Sequence, residues 1–159
     1  PSLHRINNFL QLVVNDFLLL WDGVYFSRTH AFDIGLLVRA ALAMVIADML
    51  GLREILGHSN PTSMHFCTLC NLAIQNIHEL DRSRWPPRIW DQMRRIAERW
   101  RDARSEDERA EIYAEHQLRW SPFYQLPYWN SLRCAPPEPM HFRALGIFQD
   151  LVRRVYGIN

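Results

Sequence analysis

Apolar residues recur every three or four places through the first twenty positions: Ile6, Phe9, Leu10, Val13, Val14, Phe17, Leu18 and Trp21. That period lines them along one side of a helix, so residues 2–21 are predicted as an amphipathic α-helix. Asp22-Gly23 stops it, and Val24-Tyr25-Phe26 reads as a short strand before a turn from Arg28 to Asp33. The next run, Leu36 to Ala47, is apolar apart from Arg39 and ends on Asp48. Its alanines favour helix, while its bounded length and apolarity on both faces fit a central strand. Strand is expected for its second half, carrying Asp48 at the end. Leu50 to Leu56 is a short helix closed by Gly57.

Helical patterning returns after Trp85-Pro86-Pro87-Arg88. From Ile89 to Ala103, one face holds Ile89, Met93, Ile96, Ala97 and Trp100, the other Arg94, Arg95, Glu98 and Arg101. Ser105 with Glu106, Asp107 and Glu108 is a helix start, predicting a second helix to about His116. Arg119 to Pro139 is rich in aromatics and prolines and is expected to be extended or turn-like. A last amphipathic helix spans about Pro139 to Val155, with Leu145, Phe148, Leu151, Val152 and Val155 inward.

Composition narrows the class. The 159 residues are 48% hydrophobic, enough for one ordinary core and against disorder. The formal net charge of +1 advertises no nucleic-acid partner by global field. All 18 basic residues are arginine, which suits bidentate phosphate contact and follows equally from GC-rich coding bias. Three cysteines make no disulfide framework and fit a reducing, intracellular compartment. No secretory signal opens the chain, and no apolar stretch approaches the roughly 20 residues of a membrane span, so a soluble protein without a membrane partner is expected. Without an initiator Met and starting within a helix, the chain reads as an internal portion of a longer polypeptide.

Four groups of residues carry candidate chemistry. Asp48 could serve as one carboxylate of a divalent-metal phosphoryl-transfer site, where acids at strand ends gather the ions, or could cap the helix after it. Cys67-Thr68-Leu69-Cys70 offers two thiolates at the spacing of a tetrahedral zinc site, with His58, His65, His78, His116 and Cys134 as further donors; two buried small side chains are the alternative. Glu138 and His141, three residues apart, could act together or simply start a helix. Arg94, Arg95, Arg99 and Arg101 form the best candidate phosphate-contacting face, or a solvated one. The cluster Trp120, Phe123, Tyr124, Tyr128 and Trp129 reads as core packing before base stacking.

Several motifs in order carry a resemblance. Pro1-Ser2-Leu3-His4-Arg5-Ile6-Asn7-Asn8-Phe9-Leu10, Gly23-Val24-Tyr25-Phe26-Ser27-Arg28-Thr29-His30, Leu37-Val38-Arg39-Ala40-Ala41-Leu42, His65-Phe66-Cys67-Thr68-Leu69-Cys70, Leu80-Asp81-Arg82-Ser83-Arg84-Trp85-Pro86-Pro87-Arg88 and Leu126-Pro127-Tyr128-Trp129 resemble the CACTA (En/Spm-like) DNA transposases of mushroom-forming fungi. The likeness runs through nearly the whole chain.

The resemblance implies a DDE-type transposase: a nuclear protein that cuts and rejoins transposon ends on DNA with Mg2+, as a homo-oligomer when whole. Asp48 would be the second catalytic acid, the first lying before Pro1 and the third after Asn159. The fold would be α/β and helix-rich: residues 1–57 part of an RNase H-like core, 58–130 a helical His/Cys insertion, and 131–159 a return segment. Zinc would staple the insertion through His65, Cys67, Cys70 and His116. Glu138 and His141 would border the active centre. Two departures stand out: Met49-Leu50-Gly51 follows Asp48 where the family has Leu-Pro-Ala, and Glu138-Pro139-Met140-His141 replaces Asp-x-Met-His. Both fit a decayed or domesticated copy acting as a non-enzymatic DNA- or protein-binding module.

Overall fold

The computed structural model describes residues 3–158, apart from the side chains at positions 3, 4, 142, 144 and 145. The predicted helix start at residue 2 and the inward placement of Leu145 lie outside the described residues. Helix α1 runs Asn7–Asp22 after a 3-10 turn at Leu3–Ile6. Its Leu10, Val14, Phe17 and Leu18 face the core, the one-sided spacing the sequence predicts, and Val14 is fully enclosed. Burying an aliphatic side chain of this size contributes roughly 1.5–3 kcal/mol. Phe9, Val13 and Trp21, which the period places on the same side, are exposed, as are Leu12 and Leu19, so the buried stripe is narrower than predicted. Gly23 ends the helix at φ 109°, where an L side chain would be strained.

Strands β1 (Val24–Phe26) and β2 (Leu36–Val38) form an antiparallel hairpin, pairing Val24 with Val38, Tyr25 with Leu37 and Phe26 with Leu36. The strand therefore occupies the first three residues of the Leu36–Ala47 run, correcting the expectation for its second half. Residues 39–48 are extended without a ladder because their backbone donors find other acceptors: Ala40 bonds Leu20 O, Leu42 the Tyr128 hydroxyl, and Val45 Cys134 O at 2.8 Å. Val45 and Ala47 pack on the core, while Met44 and Ile46, alternating with them, are exposed. Half of a period-two pattern is thus satisfied by packing alone.

Helix α2 (Met49–Leu56) begins at Asp48 and closes on Gly57, whose φ is 80°. A Cβ on Gly57 would run into the Arg119 carbonyl oxygen, so glycine lets two chain segments touch here. Arg119 N–H donates to Gly57 O, and Ser59 N–H to Gln117 O. Residues 57–59 and 117–119 are tied in this way across the loop-rich stretch between them. Within it, Asn71 N–H donates to Pro86 O at 2.7 Å.

Helices α3 (Trp90–Asp102) and α4 (Glu106–His116) pack against each other. Ser105 caps α4 by accepting from Glu108 N–H. The aromatic segment after α4 joins two cores. Trp120 and Tyr124 pack with Met93, Ala97 and Leu118, while Phe123, Leu126 and Trp129 pack with Val14, Leu52, Leu56 and Ala135. Stacking of Trp90 on Tyr124, with ring centres 5.0 Å apart, links α3 to this segment. The second cluster thus combines residues before 57 with residues after 122.

Helix α5 (Ser131–Cys134) is one turn. The last helical stretch, Met140–Phe148 and Leu151–Val155, is wound in wide i→i+5 turns. Phe148, Leu151 and Val155, predicted inward, are exposed. The wider winding takes residues three and four apart off a common line, so the expected apolar stripe does not form. The architecture among the described residues is helix-rich with one small two-stranded sheet. No helix among them is long and apolar enough to cross a membrane.

Candidate functional site

Asp48 is exposed, and its Oδ1 accepts the Gly51 N–H at 2.6 Å as the cap of α2. The side chain satisfies an otherwise unpaired amide of the first turn. It stands at the end of an irregular segment and not of a β-ladder. Glu138 does the same for the last helix: its carboxylate accepts from Met140 and His141 N–H, and His141 Nδ1 lies 2.6 Å away. The His141 N–H, with help from Met140 N–H and the imidazole, holds the Glu138 carboxyl below its ordinary value. Met49, next to Asp48, borders one open hollow together with His141 and Asp150.

The cysteine loop has the geometry of a metal knuckle at one end only. Leu69 and Cys70 N–H both point at Cys67 Sγ, at 3.4 and 3.3 Å. Burial, with Cys67 alongside, pushes the Cys70 thiol up, opposed by the Leu72 N–H. Two thiol sulfurs supply half of a tetrahedral zinc shell. Among the described residues no three His, Cys, Asp or Glu side chains converge on one point. The four-ligand zinc set and a multi-acid Mg2+ set are therefore not assembled within them. Cys134 packs on the cluster of Val14, Leu56 and Trp129, and His78 is exposed.

What organises the loop is arginine, which sequence reasoning passed over. Arg53 donates to Ser59 O at 2.8 Å and to Phe66 O. Arg88 Nε donates to Cys67 O and Cys70 O at 2.9 and 3.1 Å, and Nη2 to His65 O. Arg119 Nη2 reaches Glu54 O at 2.9 Å. All three are buried, and burial lowers each guanidinium's pKa. Carbonyl oxygens of an irregular loop need donors once water is excluded, and these guanidinium groups supply them. His58 lies among the three, fully enclosed, with Nε2 unpartnered; burial first, then Arg88, Arg53 and Arg119, drive its pKa well below the ordinary 6.5. The signals available in the sequence were an arginine in an apolar helix and another behind a Pro-Pro pair.

His65 and His116 both line a cleft of about 550 Å³ beside α3, whose lining includes neither cysteine. The four arginines of α3 divide. Arg94 pairs with Glu98 at 3.1 Å, and Arg101 with Asp102 at 2.7 Å while lying over the Trp120 ring. Arg95 and Arg99 are exposed, border the cleft, and make no ion pair or hydrogen bond among the described residues.

No protein family, curated protein or solved structure matches this chain.

Proposed function

We propose that this chain is an internal portion of a CACTA-type DNA transposase and that its folded part is a helical DNA-contact module. The motif series supports the family. The observation that carries the module is the pair of uncommitted arginines, Arg95 and Arg99, one turn apart on α3 beside the cysteine loop. An arginine held by no carboxylate is free to meet a phosphate. In the parent enzyme, divalent metal would assist in-line phosphoryl transfer at element ends, on an RNase H-like core to which this chain contributes. Asp48 would give one carboxylate to Mg2+ there, through the oxygen that does not accept the Gly51 N–H. Cys67 and Cys70 would hold a structural zinc, completed by histidine. Action on DNA places the protein in the nucleus.

The capping role of Asp48 favours a second form of this reading, a transposase remnant retained for DNA contact without chemistry. Both forms require the chain to bind DNA. Fluorescence anisotropy of a labelled duplex ending in CACTA, beside a scrambled duplex, is the test. Binding at low salt that weakens as salt rises is the expected result. Absence of binding to either duplex at about 50 mM salt overturns the reading.

A further inference from the structure

The cleft between α3 and the His116 end of α4 has a composition that the cysteine loop and the helix cap do not explain. Arg88, Arg95 and Arg99 border it, with His65 and His116; Glu115 is its one carboxylate. Arg88 is immobilised by three carbonyl oxygens and forms a fixed cationic wall. Arg95 and Arg99 stand on one side of α3, four residues apart, and are free to close from the solvent side.

Two imidazole nitrogens add a second observation. His65 Nδ1 and His116 Nε2 are shielded from solvent and lack hydrogen-bond partners. Glu115 Oε1 stands 3.5 Å from His116 Nε2, longer than a good hydrogen bond. The Gln117 side chain holds His65 in place by accepting its backbone N–H at 2.7 Å. Buried polar atoms are ordinarily satisfied, and these two belong to side chains that line the cleft beside Arg88, Arg95 and Arg99. A phosphate group, with several acceptor oxygens and negative charge, matches two mobile guanidinium forks and nearby imidazoles better than a two-oxygen carboxylate does.

We propose that this cleft binds one phosphate group of a DNA backbone, with Arg95 and Arg99 as its principal ligands and His65 and His116 at its floor. The choice of DNA as the source rests on the transposase reading, whereas the cleft's affinity for phosphate does not. A bound phosphate would bridge α3 to the loop carrying Cys67 and Cys70, so ligand binding and loop order would be linked.

The experiment compares the purified chain with the double variant Arg95→Gln/Arg99→Gln and with Arg94→Gln, whose side chain is engaged by Glu98. Each is titrated with inorganic phosphate, followed by the imidazole proton resonances, and with a labelled duplex, followed by anisotropy. Phosphate should move the His65 and His116 resonances in the wild type and in Arg94→Gln but not in the double variant. Duplex affinity should fall about tenfold or more in the double variant, as expected when both principal ligands of that phosphate are lost, and stay within about twofold in Arg94→Gln. A double variant that binds duplex as the wild type does, with no phosphate response in any protein, overturns the cleft while leaving DNA binding intact. A phosphate response without duplex binding upholds the cleft and overturns DNA as its source. Both substitutions are at exposed positions, and circular dichroism checks that the fold is retained.

Discussion

His58 sits where a proton is least welcome. It is fully buried, faces the cationic groups of Arg53, Arg88 and Arg119, and has no acceptor for an added charge. The native state holds it neutral, while the unfolded chain protonates it near 6.5. Below that pH the unfolded state binds more protons, so stability is present above about 6.5 and is lost as pH falls toward the folded-state value. The slope from this one group can reach about 1.4 kcal/mol per pH unit. Thermal unfolding between pH 5 and 7.5 should show the midpoint falling with acid. His58→Gln should flatten that profile relative to the wild type, even if it lowers stability overall. Parallel profiles for the two proteins would contradict the assignment. In the sequence His58 stands among other zinc candidates near the cysteines; its surroundings come from arginines 5, 30 and 61 positions away, a proximity that no local pattern announces.

At the scale of elements, the legible parts of the chain were those with a local cause. Helix α1 followed its apolar period, α4 its serine cap, and the first strand its bounded run after a glycine. The Leu36–Ala47 run misled because apolarity on both sides is what a central strand shows, yet here packing on one side and scattered backbone acceptors suffice. Asp48 is the consequence. As a cap, Asp48→Ala should cost about 1 kcal/mol, whereas Asp48→Asn should stay within a few tenths. Urea unfolding measures both. Equal losses in the two variants would show that the charge, and not the cap hydrogen bond, matters. For the cysteine loop, one zinc per chain is expected in the wild type and none in Cys67→Ser or Cys70→Ser. A metal-free, equally folded wild type would leave Arg53 and Arg88 as the loop's whole support.

For the whole molecule, the candidate site differs from the one the sequence suggested. Cys67 and Cys70 adjoin as expected, but His65 and His116 line a cleft that neither cysteine borders, and the arginine face splits into engaged and free halves. That division follows from local pairs, Glu98 one turn along α3 from Arg94 and Asp102 next to Arg101, so the sequence itself held the signal. Exposed pairs such as Arg94 with Glu98 contribute about 1 kcal/mol or less to stability, and their larger effect is to withdraw arginines from a partner. The other two, Arg95 and Arg99, border the cleft.

The salt dependence of duplex binding tests this account most directly. The logarithm of affinity should fall linearly with the logarithm of salt concentration, by about 0.9 per phosphate neutralised, so removing Arg95 and Arg99, which share one phosphate, should reduce the slope by about 0.9. A wild-type affinity indifferent to salt, or a slope unchanged in the double variant, would contradict it.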